Sequence, residues 1–156
     1  MKIHWLIIGL LVTACEQPTS VDKNPVAQQI RQKAVISDTG RWYSSDQLVL
    51  GQRVFQKNCQ ICHKENAAGT RNWKKTLPDG NYPPPPLNGT AHAWHHDMAT
   101  LSRTIKNGGI PLGGVMPGFA NKLSDKEIQA VIAYFQSFWS QDIYNAWLEN
   151  GGLEVQ

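Results

Sequence analysis

The chain has 156 residues, 41% of them hydrophobic, and a formal net charge of +3. That is room for one domain plus a leader and a linker, with a core of modest size. So mild a charge, without interleaved aromatic and basic residues, argues against nucleic acid as the partner.

The chain opens on Met1-Lys2 and an apolar stretch from Trp5 to Val12, too short to span a bilayer as a stable helix. It closes on Leu11-Val12-Thr13-Ala14-Cys15, which resembles the lipobox of bacterial lipoproteins. The resemblance implies a signal peptide over 1–14, with an acylated Cys15 as the new first residue and more than one acyl chain for a stable anchor. An ordinary secretory peptide is the alternative, and both readings export the chain. Losing Lys2 with the leader changes the net charge by one. Residues 15–40 carry Pro18, Ser20, Pro25 and several Gln without sustained periodicity and read as a tether. A short helix from Val26 to Val35 is compatible with that stretch.

Ser44 and Gln47 stand in capping-box register, and a helix is expected to run through Leu48, Gly51, Val54 and Phe55 towards Cys59. It delivers the pentapeptide Cys59-Gln60-Ile61-Cys62-His63. A bare Cys-x-x-Cys leaves zinc binding and thiol redox chemistry open. The adjoining histidine points instead to covalent haem attachment: each thiol adds to one porphyrin vinyl group, and the imidazole takes an axial iron position. With both thiols so used, no disulfide remains within the mature chain.

Residues 67–82 form a long connection with Trp73, Lys74 and Lys75. The Trp73 indole could donate to a haem propionate or simply pack. The run Pro83-Pro84-Pro85-Pro86-Leu87 follows, then Trp94-His95-His96. Those two histidines invite a copper-binding or iron-ligating reading; the simpler one is a solvated loop leading to a helix that starts near Asp97. That helix turns Leu101 and Ile105 inward and stops at Gly108-Gly109.

A glycine-rich loop then carries Met116-Pro117. Apart from Met1, the methionines are Met98, in a first helical turn, and Met116, whose loop can approach iron without bending a helix. Ser124 and Glu127 make a second capping box, and Ile128, Val131, Ile132, Phe135, Phe138 and Trp139 recur at helical spacing to about Ser140. Residues 141–156 read as a C-terminal extension without a motif, compatible with a short helix packing Ile143 and Trp147.

The pattern Gly51-x-x-x-Phe55-x-x-x-Cys59-x-x-Cys62-His63 resembles the N-terminal helix of class I c-type cytochromes, and Met116-Pro117-Gly118-Phe119 resembles their distal Met-Pro pattern. The resemblance covers roughly Trp42 to Ser140. It implies an all-α fold, three to four helices wrapped around one covalently bound haem c over residues 41–140. It implies that Gly51 lets the C-terminal helix cross closely, at Tyr134 or Phe135, and that Phe55 packs beside the haem. It further implies Met116 as sixth ligand, and a proline carbonyl accepting the second N–H of His63. The family's Pro-x-Leu spacing to Leu87 selects Pro85, with Pro86 the fallback.

The function so implied is that of an extracytoplasmic, outer-sphere electron carrier cycling Fe(II)/Fe(III), with no protein acid, base or nucleophile to nominate. Its partners would be redox proteins and, through the anchor, a membrane. Glu16 in place of aspartate after Cys15 leans towards the outer one. Two alternatives stay open: a haem peroxidase or ligand-binding protein with a displaceable Met116, and an electron-transfer subunit docked on an oxidase or reductase. Arg53, Lys57, Lys64, Lys74 and Lys75 cluster near the haem segment in sequence, as a steering surface or as ordinary solvated side chains.

Overall fold

A computed structural model describes residues 40–154, and their regular structure is helical, with one isolated bridge between Tyr82 and Gly114. The leader, Cys15, and the tether up to residue 39 with its Val26–Val35 segment lie outside the described residues.

Helix α1, Ser45–Asn58, begins as its capping box requires: the Gln47 amide donates to Ser44 Oγ, and the Ser44 amide donates to Gln47 Oε1 at 2.9 Å. A single helical turn, α2 (Gln60–His63), follows Cys59 directly. Helix α3, Met98–Asn107, is capped by Asp97, whose carboxylate accepts the Thr100 amide at 2.6 Å, and it ends at Gly108. Helix α4, Asp125–Gln136, starts from the second capping box on Ser124 and Glu127. Helix α5, Gln141–Glu149, is capped by Ser140.

The expected C-terminal helix thus ends four residues early, and a new one starts. Phe138 and Trp139 continue the apolar rhythm, but their segment is a turn: the Ser137 hydroxyl donates to the Tyr134 carbonyl at 2.6 Å, and Ser140 opens α5. Helical apolar spacing alone cannot register such a break.

α1 and α4 make the most extensive helix pair, and α3 packs on α4 as well. Gly51 is where α1 and α4 meet. A Cβ there would overlap the Ala130 carbonyl oxygen and stand 2.8 Å from Tyr134 Cβ, so only a glycine permits the approach. Tyr134, rather than Phe135, is therefore the aromatic that meets Gly51; its ring also lies 5.3 Å from that of Phe55. Phe55, Ile128, Val131, Ile132 and Phe135 form the centre of the core, which extends through Trp139 to Tyr144 and Trp147 of α5.

The residues ahead of α1 are tied to the far end of the chain. Trp42 donates its indole N–H to Gln136 Oε1 at 2.6 Å and its amide to the Tyr144 hydroxyl at 2.9 Å. The Arg41 guanidinium lies 4.1 Å from the centre of the Tyr144 ring. On the surface, Lys106 of α3 and Asp125 of α4 form an ion pair at 2.7 Å; exposed as it is, it adds little.

Candidate functional site

The pentapeptide sits where α1 gives way to α2. The amides of Cys62 and His63 both donate to the Cys59 carbonyl, at 3.1 and 2.9 Å, so the turn presents the two cysteines and the histidine as one unit. Neither cysteine forms a disulfide among the described residues; Cys59 is half-buried and Cys62 exposed. Burial pushes the Cys59 thiol up to about 11, Cys62 adds to the rise, and Lys122 opposes it. Thiol–disulfide enzymes depend on the reverse, a depressed thiol pKa. Among the described residues, no three His, Cys, Asp or Glu side chains converge as a metal site.

His63 is 7% exposed, and its Nδ1 lies 2.9 Å from the Pro85 carbonyl oxygen. A carbonyl only accepts, so Nδ1 carries the proton and donates, leaving Nε2 with its lone pair. Among the described residues no hydrogen bond engages Nε2. Burial lowers the histidine's pKa, and the bond to Pro85 partly offsets this. The ring is thereby held neutral in the one tautomer that can give Nε2 to a metal.

Pro85 owes its position to the segment just after the pentapeptide. The Gly69 amide donates to the His63 carbonyl at 2.7 Å, Thr70 to Pro84 at 2.8 Å, and Leu87 to Ala67 at 2.8 Å. Residues 67–70 thus run beside 84–87. Gly69 has φ +64°, and a Cβ on it would overlap the backbone of Pro85 and Pro86. The turn between is strained, with positive φ at Lys64, Asn66 and Ala67. Neither Gly69 nor this turn was singled out by the sequence; Ala67-Ala68-Gly69, three small residues ahead of a proline run, is the signal that marks the close approach.

The other end of the proline run reaches the Met116 loop. The Tyr82 amide donates to the Gly113 carbonyl at 2.9 Å, and Gly109 donates to the Met116 carbonyl at 2.9 Å, pinning that loop to the end of α3. Three residue steps separate Tyr82 from Pro85, at most about 11 Å of chain. One short segment therefore braces the His63 side and the Met116 loop together. Met116 itself is half-buried against the core.

Trp73 packs on His92, ring centroids 5.2 Å apart, with the Lys74 ammonium 5.3 Å from its ring centre. His95 stacks on Trp94 at 3.8 Å. The Trp147 indole N–H holds the His96 carbonyl at 2.8 Å. His92, His95 and His96 are all exposed.

Residues 46–135 match the family described as cytochrome c oxidase, cbb3-type, subunit III. The chain belongs to this family. Cys59, Cys62, His63, Pro85 and Met116 all fall within the matched span, and the class I cytochrome c domain of the family implies haem c as cofactor. The residues present suit it: paired thiols at the right spacing, a neutral buried imidazole with an unengaged Nε2, and a loop methionine.

The cytochrome c subunit of alcohol dehydrogenase (quinone) from Gluconobacter oxydans is 30% identical over 99 residues, 59% of this chain and 19% of that protein. The cbb3-type cytochrome c oxidase subunit FixP of Azorhizobium caulinodans is 35% identical over 85 residues, 54% of this chain and 25% of that protein. Subunit CcoP of Azospirillum sp. is 31% identical over 100 residues, 64% of this chain and 31% of its own length. The chain thus spans less than a third of these curated relatives. No solved structure matches it. Among the described residues no helix is long and apolar enough to cross a membrane.

Proposed function

We propose that this chain is a single-haem electron-transfer protein acting outside the cytoplasm, and that His63 with its Nδ1 fixed by Pro85 is the observation that carries the reading. Cys59 and Cys62 would hold the porphyrin through thioether bonds, and His63 Nε2 and the Met116 sulfur would fill the axial positions. Bound there, haem supplies one-electron Fe(II)/Fe(III) exchange. Held by His63 and Met116, the iron would have no open position for a substrate, so transfer would be outer-sphere and would need no catalytic residue. The one Cys-x-x-Cys-His among these 156 residues supports one haem in this domain. Cys15 would carry the lipid that tethers the domain to a membrane, the outer one being favoured by Glu16.

A second reading concerns the partner. The relatives are themselves named as subunits of oxidases and of a dehydrogenase, which favours a docked electron-transfer subunit over a free shuttle. Purification as a stable complex with a second redox protein distinguishes the two.

A redox titration followed by visible and near-infrared absorption tests the core claim. The expected result is one single-electron transition, with the weak near-infrared band of methionine-ligated ferric haem. Two transitions would overturn the haem count, and a missing band would overturn Met116. Ready binding of carbon monoxide to the native ferrous form would favour a peroxidase or ligand-binding protein. Replacing Cys15 by Ser should release the protein from the membrane fraction; full retention would sink the anchor.

A further inference from the structure

The described region holds a second group of imidazoles that electron transfer does not use. His92 and His95 bound a short 3-10 turn, and His96 follows it. This turn is held from several sides. Trp147 binds the His96 carbonyl, the His96 amide returns to Ala93 at 3.3 Å, and Met98, two residues on, donates to Gly152 at 2.8 Å. Trp73 packs against the His92 ring. The histidine side chains nonetheless stay exposed, and among the described residues no hydrogen bond occupies a ring nitrogen of any of the three.

They are not equivalent. The His95 ring lies on Trp94 with an interplanar angle of 29°. His92 and His96 face each other edge to face, centroids 5.8 Å apart and 83° between planes. Two imidazoles sharing one tetrahedral ion, with metal–nitrogen bonds of about 2.0 Å, have their centroids about 5 Å apart. Rotation of the two exposed side chains, turning one nitrogen of each ring towards a common point, would close that difference.

We propose that His92 and His96 form a surface site for a divalent transition ion of the zinc or copper class. No third His, Cys, Asp or Glu converges on them among the described residues, so water completes the coordination and the ion is exchangeable. Imidazole nitrogen suits zinc and copper, and copper(II) is the stronger binder of the two. The backbone under the pair is prefixed by α5, so little ordering opposes binding.

The test is calorimetric titration of the oxidised holoprotein with Zn(II) and, separately, Cu(II). One equivalent should bind, reversibly to a chelator, with Cu(II) the tighter by about tenfold or more. His92→Gln and His96→Gln should each weaken Zn(II) binding by about tenfold or more, and His95→Gln by less than about twofold. The haem spectrum and thermal midpoint should be unchanged in all three. In the wild-type protein, Zn(II) should protect His92 and His96, but not His95, from acylation by diethyl pyrocarbonate. Undiminished binding by the His92→Gln/His96→Gln double variant would overturn the site. So would equal loss in His95→Gln, or no selective protection of the wild type.

Discussion

The His63 imidazole and the Pro85 carbonyl are joined by a 2.9 Å hydrogen bond between residues 22 apart in sequence. That bond ties the pentapeptide to the proline run, and the run in turn holds the Met116 loop through Tyr82 and Gly113. It decides the histidine's tautomer, and through the tautomer which nitrogen would be left for iron in the proposed haem site. A carbonyl that accepts from Nδ1 makes the ring a stronger donor at Nε2, which favours the ferric state.

Gly69 is the residue on which this bond depends. Gly69→Ala places a methyl against the backbone of Pro85 and Pro86 and forces a left-handed conformation on alanine, a cost of about 1–2 kcal/mol. The proline run should shift and the bond to His63 lengthen or break. A bond of about 1 kcal/mol raises the midpoint potential on its loss by at most about 40 mV for a one-electron couple, reached when its whole strength is specific to the ferric state. A redox titration checks the rise; an unchanged potential in a folded variant would show that Gly69 does not position Pro85.

The α1–α4 crossing is equally sensitive. Gly51→Ala drives a methyl into the Ala130 carbonyl and towards Tyr134 Cβ, so the helices must separate. Overpacking of this kind costs about 1–3 kcal/mol. Denaturant unfolding of the holoprotein should show a lower midpoint with an unchanged slope. No shift would mean that the crossing yields without cost.

How much of this was legible in the sequence follows the strength of local signals. α1 and α4 were readable because each opens on a capping box and continues with a 3.6-residue apolar period; Asp97 and Gly108 bracket α3 in the same way. The break after Gln136 was hidden, because Phe138 and Trp139 keep the period while the backbone turns towards Ser140. Tyr134 and Phe135 were both open as the partner of Gly51, since adjacent residues differ by only about 100° around a helix. The strained turn after His63 was invisible: of its three positive-φ residues, only Asn66 belongs to a type that favours that conformation. Within four consecutive prolines nothing local distinguishes Pro85, so it came only from family resemblance.

Acid should loosen the helix starts. Asp97 is held below the usual carboxylate range by the bonds from the Thr100 backbone and side chain, and Glu127 by those from Ser124. A carboxylate with a lowered folded-state pKa contributes stability that is fully present above its unfolded value, near 4, and is lost as pH falls through the folded value. Unfolding midpoints should therefore decline below about pH 4. Asp97→Asn keeps a capping side chain but removes this titration, so its profile should be flatter on the acid side. An unaltered acid limb would place the loss elsewhere.

Met116 separates the carrier from its rivals. Its loop is pinned to α3 through Gly109 and to the proline run through Tyr82, so the side chain is presented by fixed backbone rather than by a mobile tip. Met116→Ala removes the thioether without touching those bonds, and the near-infrared band should vanish while carbon monoxide gains access to ferrous iron. Met116→His offers imidazole in its place. Because a thioether favours the ferrous state relative to a second histidine, the midpoint should fall by about 0.1 V, well inside the roughly 0.8 V that axial ligands span. His96→Gln serves as the control: the spectrum and potential should stay at wild-type values. If instead Met116→Ala leaves both unchanged and His96→Gln alters them, the sixth ligand comes from the histidine turn.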